Sequence, residues 1–203
     1  MDGRFERIRR VPRVLRPRVW RTLLDTLTVP ENDYIWTHVQ RVGTDRYFED
    51  PCPWWAPGAV DELLTLPLEG MRVIEWGAGG STLWLLSHGC KVTSIETDEW
   101  WADQLCRRGG DSLDMHLLAP EAEEFLPDVE DYSLAIIDGG RRVDVAQHLL
   151  ARSFPGVILW DDTQLRVHRE GVSQLADKCQ RQRHFAGLDP GLTAKLTSIF
   201  WMA

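Results

Sequence analysis

Short, strongly apolar runs alternate with longer amphipathic segments from Met71 onward. The apolar runs predict strands, whereas segments with apolar residues at helical spacing predict helices. The predicted strands are MRVIEW, CKVTSIETD, DMHLLAP, YSLAIIDGG and PGVILWDDT. The predicted helices are STLWLLSHG, EWWADQLCRRGG, EAEEFLPD, VDVAQHLLARSF and GVSQLADKCQRQ, preceded by one over Gly58–Leu66. This alternation predicts a parallel sheet that is covered by helices on both faces.

The C-terminal segment RHFAGLDPGLTAKLTSIFWMA predicts two further strands, joined by a turn around DPG. Two strands joined by so short a turn must be antiparallel to each other. We therefore predict a Rossmann-like three-layer α/β sandwich with a seven-stranded, mostly parallel sheet. The C-terminal antiparallel hairpin is expected to supply an antiparallel strand at the edge of this sheet.

The first fifty residues lack this alternation. Residues 1–50 are predicted to form an Arg-rich, partly helical extension, and residues 51–203 the α/β domain. The first 21 residues contain eight Arg against Asp2 and Glu6, although the whole chain carries a net charge of −8. That acidic balance argues against a general nucleic-acid binder. The basic arm could contact a phosphate, a partner or a membrane surface, or it could pack on the domain as a solvated extension.

The cysteine pattern and the hydropathy favour an intracellular protein. Four cysteines are scattered along the chain, with no CxxC pair and no zinc-type Cys/His spacing. Such a pattern is typical of a reducing compartment. The N-terminus has no uninterrupted apolar segment, and no run approaches about 20 apolar residues. We therefore expect no signal peptide, no transmembrane segment and a cytoplasmic location.

Carboxylates follow the predicted strands at the edge where an open α/β sheet binds its ligands. These residues are Glu75, Glu96, Glu121, Asp138, Asp161 and Asp162. Because a ring of acids repels a phosphate-rich ligand, the pattern favours a cationic ligand or a metal ion.

The turn after the first predicted strand, GAGG, allows a ligand to approach the backbone closely, because its three glycines lack side chains. Thr82 stands where a dinucleotide fingerprint needs its third glycine, and no Walker-type Lys-Ser/Thr pair follows, so both phosphate motifs fail. Glu96 lies about twenty residues further on and could accept hydrogen bonds from both hydroxyls of a ribose. Alternatively, the turn is only a tight connection, with Ser81 as the N-cap of the next helix.

The residues EWGAGGST and SIETD, with the later IDGGRR and a buried strand that ends in DD, carry a family resemblance. From Pro57 to the C-terminus, the chain resembles class I S-adenosylmethionine-dependent methyltransferases, in a subgroup with E-[YW]-G-x-G-x-S-T and IDGxxR motifs. The resemblance implies that Glu75 lies near the cationic methionine end of the cofactor and that Glu96 binds the ribose hydroxyls. The other implied cofactor-binding residues are Gly77, Ala78, Gly79, Ser81, Thr82 and Asp138, together with Thr97, Asp98 and Trp100 beside the adenine and Pro120 and Glu121 on its other side.

Asp138, Asp161 and Arg142 are the predicted catalytic residues, because they follow the strands that would meet a transferred methyl group. The set resembles metal-dependent catechol-type O-methyltransferases, which implies that Asp138, Asp161 and Asp162 could hold Mg²⁺ or Ca²⁺. Asp162 stands where that family has Asn, and the family's Asp-Ala-Asp-Lys run is missing, so both departures count against a metal. Without a metal, Asp138 could act as a general base. Arg142 could either anchor an anionic substrate or support Asp161.

The expected activity is methyl transfer from S-adenosylmethionine to a hydroxyl oxygen of a small molecule or glycan. One alternative is a non-catalytic S-adenosylmethionine-binding scaffold that contacts a partner through the basic arm. A weaker alternative is a nicotinamide-dependent dehydrogenase, against which the absent third glycine counts. Trp54 and Trp55 could form an aromatic lid over the site or simply pack in the core.

Overall fold

The structure is a computed structural model, which describes residue 48 and residues 51–119, 126–189 and 193–202. Three predictions therefore lie wholly or mostly outside the described residues. They concern the extension 1–50, the helix EAEEFLPD, and the placement of Pro120 and Glu121 beside an adenine.

The described residues form five α-helices and seven strands, in the alternating order that the sequence predicts. Two short 3-10 turns, Gly110–Ser112 and Arg166–His168, precede the strand that begins at Leu113 and the helix that begins at Arg169. The elements are α1 (Pro57–Leu63), β1 (Arg72–Trp76), α2 (Gly80–Ser87), β2 (Lys91–Glu96), α3 (Glu99–Gly109), β3 (Leu113–Leu117), β4 (Leu134–Ile137), α4 (Arg142–Ala151), β5 (Val157–Trp160), α5 (Arg169–Ala176), β6 (Arg181–Leu188) and β7 (Ala194–Trp201).

The predicted α/β sandwich is confirmed: within the described residues, one seven-stranded sheet has the order β3-β2-β1-β4-β5-β7-β6. Strands β1 to β5 are parallel, and β7 pairs antiparallel with both β5 and β6. The predicted C-terminal hairpin is also confirmed: β6 forms the edge of the sheet and pairs antiparallel with β7, which lies inside the sheet. Burial explains which of the two strands forms the edge. Residues 197–200 of β7 are all buried, whereas residues 181–184 of β6 are exposed and include two arginines, which suit an edge.

The last predicted helix differs from the structure. The helix α5 begins at Arg169, before the predicted start, and ends at Ala176. Residues Arg181 and Gln182, predicted as helical, instead pair with Trp201 and Phe200 across the β6–β7 ladder. Strand pairing with a buried neighbour therefore overrides the helical spacing of this segment.

Side chains alternate between the two faces of the sheet, and each face has its own core. Val73 of β1, Ile136 of β4 and Leu159 of β5 pack in one core with residues of α1 and α2. The next residues along the same strands pack in the other core, against α4 and α5. Because the alternation has a period of two, the carboxyl groups of Glu75, Asp138 and Asp161 leave the strands on the α1–α2 face.

None of the helices in the described part of the chain is both long and apolar enough to cross a membrane.

Two glycines bring the turns after β1 and β4 into contact. Gly77 has a φ of 94°, and a Cβ atom at this position would lie 2.6 Å from the backbone nitrogen of Gly139. A Cβ atom on Gly139 would in turn lie 2.6 Å from the Cα atom of Gly77. Backbone atoms cannot move aside as a flexible side chain can, so this contact requires glycine on both turns.

We expect Gly77→Ala to lower the free energy of unfolding by more than Gly70→Ala does. Gly70 also has a positive φ, of 74°, but a Cβ atom there meets nothing within 4 Å. Gly70→Ala should therefore cost about 1–2 kcal/mol for the left-handed backbone alone. Gly77→Ala adds a steric clash with backbone and should cost at least ~2 kcal/mol more. Equilibrium unfolding in urea measures both, and equal losses would contradict the Gly77–Gly139 contact.

Candidate active site

The carboxyl group of Glu75 lies fully buried beneath the glycine turn. Its Oε1 accepts a short hydrogen bond from Ser81, and its Oε2 accepts from Thr82 at 2.6 Å and from Ser94 at 2.9 Å. Burial raises the pKa of Glu75 to about 7, against the opposing effect of the three hydroxyl donors. Glu75 therefore ties the end of β1 to the start of α2 and to β2.

Ser81 does not cap the helix, so the alternative interpretation of the turn was wrong in this respect. The N-cap of α2 is Gly79, and the hydroxyl oxygen of Thr82 accepts a hydrogen bond from the Gly79 amide at 3.0 Å. The hydroxyl of Ser81 instead donates to Glu75. Ser81 and Thr82 thus connect the glycine turn to the buried carboxyl group of Glu75.

Glu96 joins the turn after β1 to the turn after β2. Its Oε2 accepts from the Ala78 amide at 2.9 Å, while its Oε1 accepts from the amides of Thr97 and Asp98 at 2.7 and 2.9 Å. The side chain is partly exposed. A carboxylate offers about four acceptor positions, and the fourth donor, the hydroxyl of Thr97, approaches Oε1 only at 3.5 Å. A ligand hydroxyl could replace this long contact.

The segment that was predicted to flank an adenine begins with a helix cap. The carboxylate of Asp98 accepts from the amides of Trp100 and Trp101 at 2.9 and 3.2 Å and so serves as the N-cap of α3. The side chain of Trp100 is 38% exposed and contacts the rings of Trp101 and Phe48. Of this segment, the surface that could stack on a ligand ring is therefore Trp100.

Three carboxyl groups converge at the ends of β4 and β5, as the strand order requires. One oxygen from each of Asp138, Asp161 and Asp162 lies within 4.8 Å of the others. Arg142 contributes a guanidinium group 3.3 Å from Asp138 Oδ1 and 3.4 Å from Asp162 Oδ2. The sequence prediction that these four residues belong to one site agrees with this geometry.

Lys195 also belongs to this site, although the sequence analysis missed it. Its Nζ lies 2.6 Å from Asp161 Oδ2 and 3.2 Å from Asp162 Oδ1. The side chain is 11% exposed. Because β7 is antiparallel to β5, residues near its beginning lie beside the end of β5. This pairing was the signal that could have identified Lys195.

Two further donors that sequence reasoning missed orient the acids. Thr197 donates its hydroxyl hydrogen to Asp161 Oδ1 at 2.6 Å, and Trp55 donates its indole N–H to Asp138 Oδ2 at 3.0 Å. Trp55 is fully buried and packs edge-on against Trp84. Trp55 therefore packs in the core rather than covering the site as a lid, and its polar edge also reaches the site.

Arg142 supports the strand ends. It donates to the main-chain carbonyl oxygen of Asp161 at 2.7 Å and, by a short bond, to that of Asp138. Its side chain is only 15% exposed. The geometry thus favours the interpretation of Arg142 as a partner of Asp161 over that of an anchor for an anionic substrate.

The protons of this cluster are set by burial and by the two cations. Burial raises the pKa of Asp138 to about 8, and the charge of Asp161 adds to the shift, while Arg142 and Lys195 oppose it. Burial also opposes the charge of Lys195, but the nearby carboxylates outweigh it and raise the pKa of Lys195. Lys195 is therefore charged at neutral pH, whereas burial raises the pKa of Asp138 and that of Asp161 towards neutral pH.

The predicted Mg²⁺ or Ca²⁺ site is not supported by this arrangement. These ions bind oxygen ligands at about 2.0–2.6 Å and require them to be free to converge on one point. The ammonium of Lys195 already lies between Asp161 and Asp162, and Arg142 contacts Asp138 and Asp162. A divalent ion among the three carboxylates would lie next to a fixed ammonium, which is electrostatically unfavourable.

Comparison with known proteins identifies the fold. No protein-family model and no curated protein matches the sequence. The O-methyltransferase TomG from Streptomyces achromogenes, crystallised in complex with S-adenosylmethionine (SAM), is 17% identical with a TM-score of 0.54. The match covers 89% of this chain and 95% of TomG.

An O-methyltransferase from Bacillus cereus, in complex with SAH, is also 17% identical with a TM-score of 0.54, over 89% of this chain and 96% of that protein. The TM-score of 0.54 establishes a shared fold, whereas an identity of 17% leaves the activity to be argued from the site. The chain therefore has the Rossmann-like fold of these two O-methyltransferases.

We expect Glu75→Gln to remove a pH dependence of stability that the wild type shows below neutral pH. The pKa of Glu75 is about 7 in the folded protein and near its ordinary value of 4.5 when unfolded. Between these two pH values the folded state holds a proton on Glu75 that the unfolded state has released. The stability that this proton contributes is complete below pH 4.5 and is lost as the pH rises through 7. The total change is on the order of 3 kcal/mol.

Urea unfolding at a series of pH values tests this expectation. The difference in unfolding free energy between the wild type and Glu75→Gln should change across that pH window and stay constant above it. Glu130→Gln, a change at an exposed carboxylate, is the matched control and should leave the wild-type pH profile in place. Parallel profiles for the wild type and Glu75→Gln would show that Glu75 is not the titrating group.

Proposed function

We propose that this chain is an S-adenosylmethionine-dependent methyltransferase that methylates a hydroxyl oxygen of a small molecule or glycan. The observation that carries the proposal is the proximity of two sites at one edge of the sheet. A glycine turn follows β1 and contacts Glu96, the carboxylate at the end of β2 that is expected to bind a ribose. Asp138 follows β4, which pairs with β1 on its other side. Gly77 and Gly139 bring the two turns into direct contact.

The described residues on the cofactor side fit S-adenosylmethionine. This cofactor carries a sulfonium, an ammonium and a ribose but no phosphate, so it needs a turn without a phosphate motif. Glu96 would accept from the ribose hydroxyls, and Trp100 would pack beside the adenine with Thr97 and Asp98 next to it. Glu75, Ser81 and Thr82 would hold Gly77, Ala78 and Gly79 in place from below. Pro120 and Glu121 would lie on the other side of the adenine.

Asp138 is the carboxyl group that can reach an acceptor. Its side chain is 20% exposed, whereas that of Asp161 is fully buried with Oδ1 on Thr197 and Oδ2 on Lys195. Asp161 therefore acts on the reaction only through its neighbours. The side chain of Asp162 is 21% exposed, but its two oxygens are in ion pairs with Arg142 and Lys195. Trp55 and Arg142 fix the orientation of Asp138.

In the proposed reaction, Asp138 accepts the proton of the acceptor hydroxyl as a general base. Because the pKa of Asp138 is about 8, the ionised form that can accept the proton is a minority at neutral pH, and its share grows as the pH rises through 8. When bound, the cofactor supplies a methyl group on a sulfonium, so the new oxygen–carbon bond forms as the carbon–sulfur bond breaks and its electron pair stays on sulfur. The chain contributes mainly alignment of the two reactants.

The two alternative functions have less support. A scaffold would need its partner contact in the basic arm, which lies outside the described residues, and would not need an oriented Asp138. A nicotinamide-dependent dehydrogenase would need room for a pyrophosphate at the start of α2, where the carboxyl group of Glu75 and Thr82 lie instead.

Glu96→Gln should weaken the binding of S-adenosylmethionine by about 10–100-fold, because hydrogen bonds to a charged acceptor are worth roughly 1.5–3 kcal/mol. Titration calorimetry with the purified cofactor measures the Kd directly. Glu130→Gln serves again as the control for loss of one acidic group, and thermal melting shows whether each variant is folded. Folded wild type that gives no heat at high concentration would refute the cofactor, and an unchanged Kd in Glu96→Gln would refute the role of this residue.

Asp138→Asn should reduce methyl transfer by at least about 100-fold while it leaves the Kd for S-adenosylmethionine within about threefold of wild type. Mass spectrometry of a panel of hydroxylated small molecules and oligosaccharides, incubated with enzyme and cofactor, identifies the methylated product. The variant is then compared on that product at saturating cofactor. Full activity of Asp138→Asn would exclude a general base at this position.

A further inference from the structure

The geometry points to Lys195 as an internal replacement for a divalent cation: its ammonium compensates the acids at the end of β5, so that the site functions without a bound metal ion. The effect of Lys195 on ion binding depends on its contacts alone, whereas its support of methyl transfer rests on the proposed function.

The position of the Lys195 ammonium is that of a bound cation. It is in hydrogen-bonding distance of one oxygen of Asp161 and one of Asp162, two of the three acids whose oxygens lie within 4.8 Å of one another. An ammonium has three N–H donors, so one donor remains after both contacts. That donor can serve an acceptor oxygen or water at the site.

Arg142 cannot take the same role. It donates to the main-chain carbonyl oxygens of Asp138 and Asp161 and reaches the carboxylates of Asp138 and Asp162 only at 3.3 and 3.4 Å. Its planar charge is spread along the strand ends, whereas Lys195 supplies a compact point charge. Lys195 is therefore the group that resembles a metal ion in both charge density and contacts.

Strand pairing fixes the backbone of Lys195 beside the acids. Lys195 pairs with Gly187 across the β6–β7 ladder, and Thr197, two residues further on the same face, donates to Asp161. The Thr197 hydroxyl oxygen in turn accepts from the Ala56 amide at 2.9 Å. The paired strand fixes the backbone of Lys195, and burial of its side chain to 11% exposure leaves few other positions for the ammonium, which is therefore preorganised.

Removal of the ammonium should therefore open a metal site. We expect Lys195→Met, which keeps the side chain up to Cε and removes the charged group, to bind Mn²⁺ or Ca²⁺ with a Kd at least about tenfold lower than the wild type. Lys195→Arg retains a cation and is the matched control, which should stay like the wild type. The double variant Lys195→Met/Asp162→Asn should lose the new site again.

Titration calorimetry with the metal salt alone measures these affinities and needs neither cofactor nor acceptor. Equal metal affinity of the wild type and Lys195→Met would overturn the proposal, as would a folded Lys195→Met that binds no metal. If Lys195→Met melts too easily to titrate, melting with and without Ca²⁺ replaces the titration. Stabilisation by Ca²⁺ in the variant and not in the wild type supports the proposal, and no selective stabilisation overturns it.

Once an acceptor is known, a chelator extends the test to turnover. Chelation should leave the wild-type rate unchanged, whereas Mg²⁺ or Mn²⁺ should raise the rate of Lys195→Met and not that of Lys195→Arg. A wild-type rate that a chelator abolishes would overturn the replacement of the metal. A chain without any methyl transfer would refute the proposed function and leave the calorimetric result on Lys195 standing.

Discussion

A carboxylate that is buried away from water must be compensated by donors or cations, and this requirement organises the edge of the sheet at which β1 to β5 end. Strand alternation turns Glu75, Asp138 and Asp161 to the same face, where Glu75 and Asp161 are fully buried and Asp138 is partly buried. The side chains around them are polar in an otherwise apolar core for this reason. The hydroxyls of Ser81, Thr82, Ser94 and Thr197 are all explained by the acids that they contact.

The two ends of this edge meet the requirement by different means, and the difference separates their chemistry. Glu75 is surrounded by neutral hydroxyls, which stabilise its charge only in part, and its raised pKa shows the remaining cost of burial. Asp161 and Asp162 instead have the ammonium of Lys195. Its charge opposes the burial that raises the pKa of Asp161, and with Arg142 it holds the pKa of Asp162 below its ordinary value. The first arrangement holds a turn in shape, and the second creates a polar, charged surface beside Asp138.

The sequence predicted the parts of the molecule that repeat with a clear period. Strands β1, β2, β4 and β5 were predicted correctly because apolar runs and glycine turns are local signals. The carboxylates at their ends are local signals as well, and the structure brings Asp138, Asp161 and Asp162 together. Lys195 was not predicted, because only residues that follow a strand were expected at this edge of the sheet. In an antiparallel strand it is the beginning that reaches the same edge, and the place of β7 between β5 and β6 is a long-range pairing with no local signal. The role of Trp55 was likewise hidden, since an indole that packs in the core can also donate its N–H.

For the proposed methyl transfer, compensation within the cluster also has a kinetic meaning. A sulfonium loses its positive charge as the methyl group leaves, so an uncompensated negative charge beside it would stabilise the bound reactants more than the transition state. Three free carboxylates at the ends of β4 and β5 would have this unfavourable effect. Lys195 pairs with Asp161 and Asp162, Arg142 contacts Asp138 and Asp162, and an ionised Asp138 becomes neutral when it takes the acceptor proton. The internal cations thus keep the acids available for proton transfer while they limit the attraction that would hold the sulfonium in its ground state.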